Sequence, residues 1–150
     1  MCVVGTGRES GEVSTRGPEY GARWDDAMTG DIFTGATHDE VYSRVIDSYR
    51  LRVEDEYVFE HGNRGLYARE DPVVDFLGFL NKAEAGKLFP SWWSANERKA
   101  CEKSAVDGGR NDVNACVQKH DIVERYHDEL MPMRLRVFAG RVEGRQIGVV

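Results

Sequence analysis

No apolar run in the chain approaches the ~20 residues that a membrane-spanning helix needs, so no helical membrane anchor is expected within it. Basic residues are also in short supply. Lys and Arg number 20 against 26 Asp and Glu, a formal charge of −6. Phosphate-binding surfaces are built from clustered Lys and Arg, so this balance argues against a nucleic-acid partner. The nearest approach to a basic patch is Arg134, Arg136, Arg141 and Arg145, read as the solvated face of one helix. Cysteine is scarce and odd in number, at three. The opening MCVVGTGRESGEVSTRG turns polar after three apolar residues and lacks the charged and apolar regions of an export signal. Three free thiols in a reducing compartment are therefore expected, with cytoplasm or nucleus as the location. Strand signals are few: residues 57–59 (YVF) and 147–150 (IGVV) are the short candidates.

What the chain does have is helical punctuation. An apolar fraction of 41% in 150 residues supports a single core. Residues 1–36, rich in Gly, Ser and Thr, read as a loosely attached leader that Trp24 and Phe33 can pin to the body. Residues 37–150 read as the helical domain. Thr37 and Glu40 have capping-box spacing. Val41, Val45, Ile46, Tyr49 and Val53 follow as an apolar stripe, predicting a helix over 38–56 with Asp39, Arg44, Asp47, Arg50 and Glu54 off the stripe. Glu54, Asp55 and Glu56 read as its solvated end. Asp71 and Pro72 start a second helix that Gly86 stops. Ser94 and Glu97 form another box, Asn111 or Asp112 is expected to cap a short helix carrying Val113, Cys116 and Val117, and Asp121 with Glu124 repeats the box. Pro132 opens the last helix. The expected fold is all-α, a compact bundle of five to six short and medium helices.

Chemistry is harder to find. Residues 5–11 (GTGRESG) suggest a phosphate loop, but the third glycine is misplaced and no Gly-Lys-Ser/Thr follows. Cys116 and His120 share a helical face if a helix runs through them, and with Cys101 and His127 they form a candidate zinc set. No close Cys pair seeds such a site, and Cys116 also suits a core position. His120-Asp121 and His127-Asp128 are sequence neighbours, which on a helix are expected not to face one another. A Cys101–His120 thiol pair has no local signature. The connector 88–93 (LFPSWW) is the best local hint. Adjacent tryptophans cannot both point into one core from an extended segment, and tryptophan is enriched where proteins bind one another.

From residue 41 onward, five ordered stretches resemble the C-terminal region of small fungal proteins that carry a MYND-type zinc finger. They are 46–57 (IDSYRLRVEDEY), 88–93 (LFPSWW), 97–102 (ERKACE), 117–122 (VQKHDI) and 131–136 (MPMRLR). The resemblance spans about two-thirds of the chain. It implies an intracellular protein without an assigned enzymatic activity, in which the finger would bind zinc and partners. The finger's closely spaced Cys pairs have no counterpart here, so none of its ligands carries over.

The reading is thus a non-catalytic helical protein-interaction module with an unknown protein partner. Phe89, Pro90, Trp92, Trp93, Met131 and Met133 are its expected contact residues, and no cofactor is expected. The alternative is a small zinc protein using Cys101, Cys116, His120 and His127.

Overall fold

The computed structural model describes the backbone of residues 18–144, with side chains from residue 23 onward. The 5–11 loop and the 147–150 strand candidate lie outside the described residues, as does Arg145. Six α-helices follow in order: α1 (Pro18–Ala27), α2 (His38–Glu60), α3 (Pro72–Ala85), α4 (Ala95–Ser104), α5 (Lys119–Tyr126) and α6 (Met131–Glu143). A 3-10 turn at Gly65–Tyr67 links α2 to α3. Among the described residues there is no strand, and 57–59 form the last turns of α2.

Local signals explain most of the starts. The Thr37 hydroxyl accepts from the Glu40 amide at 3.2 Å, while Glu40 accepts from the Thr37 amide at 2.8 Å. Asp71 accepts from the Val73 amide at 3.0 Å with Pro72 in the first turn, where a missing N–H costs nothing. Ser94 and Glu97 close the reciprocal box on α4. The box on α5 begins three residues earlier than expected. Asp121 is not the cap but the third helical residue, accepting from the Gln118 amide at 2.9 Å.

The expected helix over Val113, Cys116 and Val117 does not form. Asp112 turns back on the backbone, accepting from the Asn114 amide at 2.8 Å and the Gly108 amide at 2.9 Å. The carbonyls of Arg110, Asp112 and Ala115 accept from the Arg50 guanidinium at 2.7–3.2 Å instead of from amides one turn on. The segment is a series of turns nailed to α2, with Val113 and Val117 still buried.

Helix α2 is the axis of the molecule, packed on by α6, α4 and α3. Its predicted stripe is interior: Val41, Val45, Ile46, Tyr49 and Val53 are at most 2% exposed. Burying each such side chain stabilises the fold by roughly 1.5–3 kcal/mol. Phe76, Phe79 and Leu80 of α3, Leu135 and Phe138 of α6 and Ile122 of α5 complete the core. The packed body extends upstream of Thr37. Ile32 is fully buried, Phe33 meets the Phe138 ring edge-on at 5.6 Å, and Ala27 at the end of α1 packs with Met133 and Val137 of α6. Trp24 stays 38% exposed, so Phe33 rather than Trp24 is the anchor.

The polar side of α2 is not solvated. Asp47, Arg50, Glu54, Asp55 and Glu56 are buried together with Arg52, because helices wrap this rod on every side over its middle turns. Each charge meets a fixed partner there. Asp47 holds Arg50 at 2.8 Å and Arg125 at 3.0 Å and accepts from the Tyr126 hydroxyl at 2.7 Å. Asp55 takes Arg136 of α6 in a two-pronged pair at 2.9 and 3.0 Å. The Tyr67 hydroxyl donates to Glu54 at 2.6 Å. Of the α6 arginines expected on a solvated face, Arg134 and Arg136 are largely covered and Arg141 is exposed. Arg136 faces Asp55, Arg134 pairs with Asp26 at 2.6 Å, and Arg141 donates to the Thr29 carbonyl at 2.8 Å.

Candidate binding surface

Helix α3 ends at Gly86, and Lys87 turns the chain out in a left-handed conformation (φ 56°). The 88–93 connector then crosses the mouth between α2, α3 and α4. A turn closed by the Trp93 amide on the Pro90 carbonyl at 3.0 Å sends the two tryptophans to different neighbours. Trp92 stacks on His38 at the start of α2, with ring centres 3.8 Å apart. Trp93 stacks on Phe89 at 3.9 Å and meets Tyr42 edge-on at 6.1 Å. Its indole N–H donates to Glu84 Oε2 at 2.9 Å. Phe89 continues inward, edge-on to Phe33. Both indoles stay half-buried on the rim of the core.

Outside this aromatic ladder the surface is concave. A cavity of about 480 Å³ is lined by Phe89, Pro90 and Trp93 together with Glu84, Lys87 and Arg98. Arg98 is held in place by Glu84 at 2.8 Å, Glu102 at 2.7 Å and the Asn81 side chain at 2.8 Å. Aromatic area beside a fixed ion-pair lattice makes a recess able to take an amphipathic group.

Met131 and Met133 do not join it. They are 4% and 7% exposed and lie in the interior, packed under the α5–α6 junction and against α1. A contact role at the surface is corrected for both. Helix α6 supports the fold here, and its methionines fill the core.

The candidate zinc residues are likewise dispersed in role. Among the described residues no group of three or more His, Cys, Asp or Glu is placed to hold a metal ion. Cys101 is buried on α4, and burial pushes its thiol well above the ordinary range, which leaves it a poor nucleophile. Cys116 is disulfide-bonded, so the expectation of three free thiols is corrected at that residue. His120 does meet its neighbour, contrary to expectation, with Nε2 at 3.3 Å from Asp121 Oδ1 in the first turn of α5. His127 is the left-handed cap of the same helix, and Asp128 beside it pairs with Arg23 at 3.0 Å.

Two features escaped the sequence reading. The first is an ion-pair knot between α2, α3 and α6. Arg64 grips Glu143 with both Nη atoms at 2.8 Å, Asp75 with Nε at 2.8 Å and Glu56 at 3.0 Å. Arg52 reaches Glu56 and Glu143 at 3.1 Å, and the Tyr49 hydroxyl donates to Asp75 at 2.7 Å. Burial alone would raise the Glu143 carboxyl, but the Arg64 hydrogen bonds and the Arg64, Arg52 and Lys82 charges hold it below the usual range. For Asp55 the balance runs the other way, and burial leaves its carboxyl raised despite Arg136. The second is an apolar flank at the end of α2, where Tyr57, Val58 and Phe59 are 43%, 53% and 59% exposed. Tyr57 stacks on Tyr67 at 3.8 Å. The three adjacent apolar letters were visible, but they were read as a strand.

No helix among the described residues is long and apolar enough to cross a membrane. Compared with family models, with curated proteins and with solved structures, the chain matches none.

Proposed function

We propose that this chain is a non-catalytic helical module that binds a protein partner through the recess beside the 88–93 connector. The observation that carries it is the half-buried Phe89–Trp93 stack lining a cavity that Lys87 and Arg98 also line. Such a surface offers large, rigid contact area at small entropic cost, rimmed by charges that fix orientation. The polar machinery supports the non-catalytic part. Buried Asp47, Asp55 and Glu143 sit in ion pairs with arginine and buried Glu54 accepts from the Tyr67 hydroxyl, and a general base needs reach to a substrate proton. The resemblance of five stretches to the body of fungal MYND-type proteins belongs to the same proposal, as does a cytoplasmic or nuclear location.

The test is affinity co-purification with three forms of the chain. Lys87→Glu and Pro90→Ala change the rim and leave the aromatic ladder in place; Trp92→Ala/Trp93→Ala removes the ladder; Phe59→Ser alters the flank of α2. The expected outcome is that the rim variant, shown folded by an unchanged thermal transition, loses the partner while Phe59→Ser keeps it. Retention of every partner by the folded rim variant and the ladder variant alike would sink the proposal. Loss with Phe59→Ser alone would move the contact surface to the end of α2.

A further inference from the structure

Helix α2 ends in a tight return. His61 caps it in a left-handed conformation (φ 57°), and the Gly62 amide reaches back to the Glu56 carbonyl at 2.7 Å. A Cβ on Gly62 would stand 2.8 Å from the Glu56 Cβ, so this close approach needs glycine. Two residues on, the Arg64 side chain is clamped by Glu56, Asp75 and Glu143. The backbone on either side of Asn63 is thus held in place before any ligand arrives, which lowers the cost of binding.

The return bounds a recess of about 620 Å³, at the opposite end of α2 from the tryptophan connector. Tyr57, Val58, His61, Gly62, Asn63 and Tyr67 line it. Tyr57 rests on Tyr67, with ring centres 3.8 Å apart, and is 43% exposed. The Tyr67 hydroxyl is already given to Glu54. The Tyr57 hydroxyl, the His61 imidazole and the Asn63 side-chain amide make no hydrogen bond among the described residues.

What the lining lacks decides the ligand. In a chain with 31% charged residues, none of these six is Asp, Glu, Lys or Arg. An ion would enter without a counter-charge. A wholly apolar molecule would strip water from three polar groups and return no hydrogen bond. A neutral ring with C–H groups on its face and hydroxyls round its edge meets both demands. Its face suits the electron-rich tyrosine ring, and its hydroxyls suit an amide that both donates and accepts.

We propose that this recess binds a neutral carbohydrate, one sugar ring lying against Tyr57 and Val58 with its hydroxyls on Asn63, His61 and the Tyr57 hydroxyl. The volume falls within the roughly 300–1,000 Å³ of small-molecule sites, with room for more than one sugar unit.

The experiment records ¹H–¹⁵N spectra of the labelled full chain, following the Asn63 side-chain amide and the Tyr57 and Val58 backbone amides. Cellotriose, maltotriose and chitotriose are the neutral probes. Trigalacturonate serves as a charged counterpart and glycerol as hydroxyls without a ring face. At least one neutral trisaccharide is expected to shift these resonances saturably, glycerol only linearly, and trigalacturonate to bind more weakly. Asn63→Ala and Tyr57→Leu are each expected to weaken that trisaccharide by about tenfold, the scale of one lost contact. Phe59→Ser, outside the lining, leaves its affinity unchanged. Saturation by none of the three, or unchanged affinity in Asn63→Ala, overturns the site. Trigalacturonate binding as tightly as the best neutral probe overturns the neutral class. Should Tyr57→Leu not fold, Asn63→Ala still decides, because no protein group holds that side chain.

Discussion

Gly65 shows how a single missing atom carries the joint between α2 and α3. Its φ of 60° is a left-handed backbone that side chains disfavour, and a Cβ there would stand 2.7 Å from the Tyr49 hydroxyl and 3.3 Å from Val53. The same hydroxyl donates to Asp75, which Arg64 also holds, so the pressure would pass into the ion-pair knot. Gly65→Ala is expected to destabilise the fold by about 2–4 kcal/mol through strain and overpacking. Chemical denaturation reads this directly, and a loss under about 0.5 kcal/mol, the scale of a neutral surface change, contradicts it.

Helices α2, α3 and α6 meet at Glu143, and there the pH dependence of the fold can be worked out. The Glu143 carboxyl is depressed from its ordinary value of 4.5, so the stability it lends is present above that value and drains as pH falls through its folded pKa. Asp55 is raised from 3.8, so its contribution has the opposite sign and shrinks as pH rises through its folded pKa. The depressed Asp31 and Asp112 carboxyls side with Glu143. Net acid lability below about pH 4.5 follows. Glu143→Gln, which leaves buried Arg52 and part-buried Arg64 short of a counter-charge, is expected to cost about 3–5 kcal/mol at neutral pH and to flatten the acid slope. Urea midpoints across the acid range measure both, and an undiminished slope in the variant refutes the assignment.

The element scale is also where the sequence was most and least readable. Thr37, Asp71 and Ser94 announced their helices because a cap is a contact within three residues, so the letters alone specify it. Asp121 misled by three positions, since Gln118 is a less usual cap than the Asp that follows it. Asp112 misled fully: an Asp before Val113 suits a helix start, but Arg50, 60–65 residues away, takes the carbonyls that a helix would use. The 88–93 connector stood out because adjacent tryptophans are unusual, and the structure seats one on His38 and the other on Phe89. The Arg64 knot left no local signal, because Glu56, Asp75 and Glu143 come from segments brought together by folding alone.

At the scale of the whole molecule, the central rod is charged and its neutralising partners come from the far end of the chain. Asp47 meets Arg125, Asp55 meets Arg136, and Arg64 meets Glu143 at separations of 78, 81 and 79 residues. A cut after residue 128 keeps Arg125 but removes Arg136 and Glu143 together with the α6 part of the core, which leaves buried Asp55 without its counter-charge. A chain truncated after residue 128 is therefore expected to lack a cooperative thermal transition by circular dichroism; a sharp transition near that of the full chain would refute it.

The same distances impose a schedule on synthesis. With about 79 residues between Arg64 and Glu143, a ribosome adding about 5–20 residues per second needs roughly 4–16 s to deliver the second after the first. Through that interval the nascent α2 has its apolar stripe but not its counter-charges, so water must keep its polar side. The body closes only when α6 arrives, which exposes the stripe to chaperones and proteases for that interval.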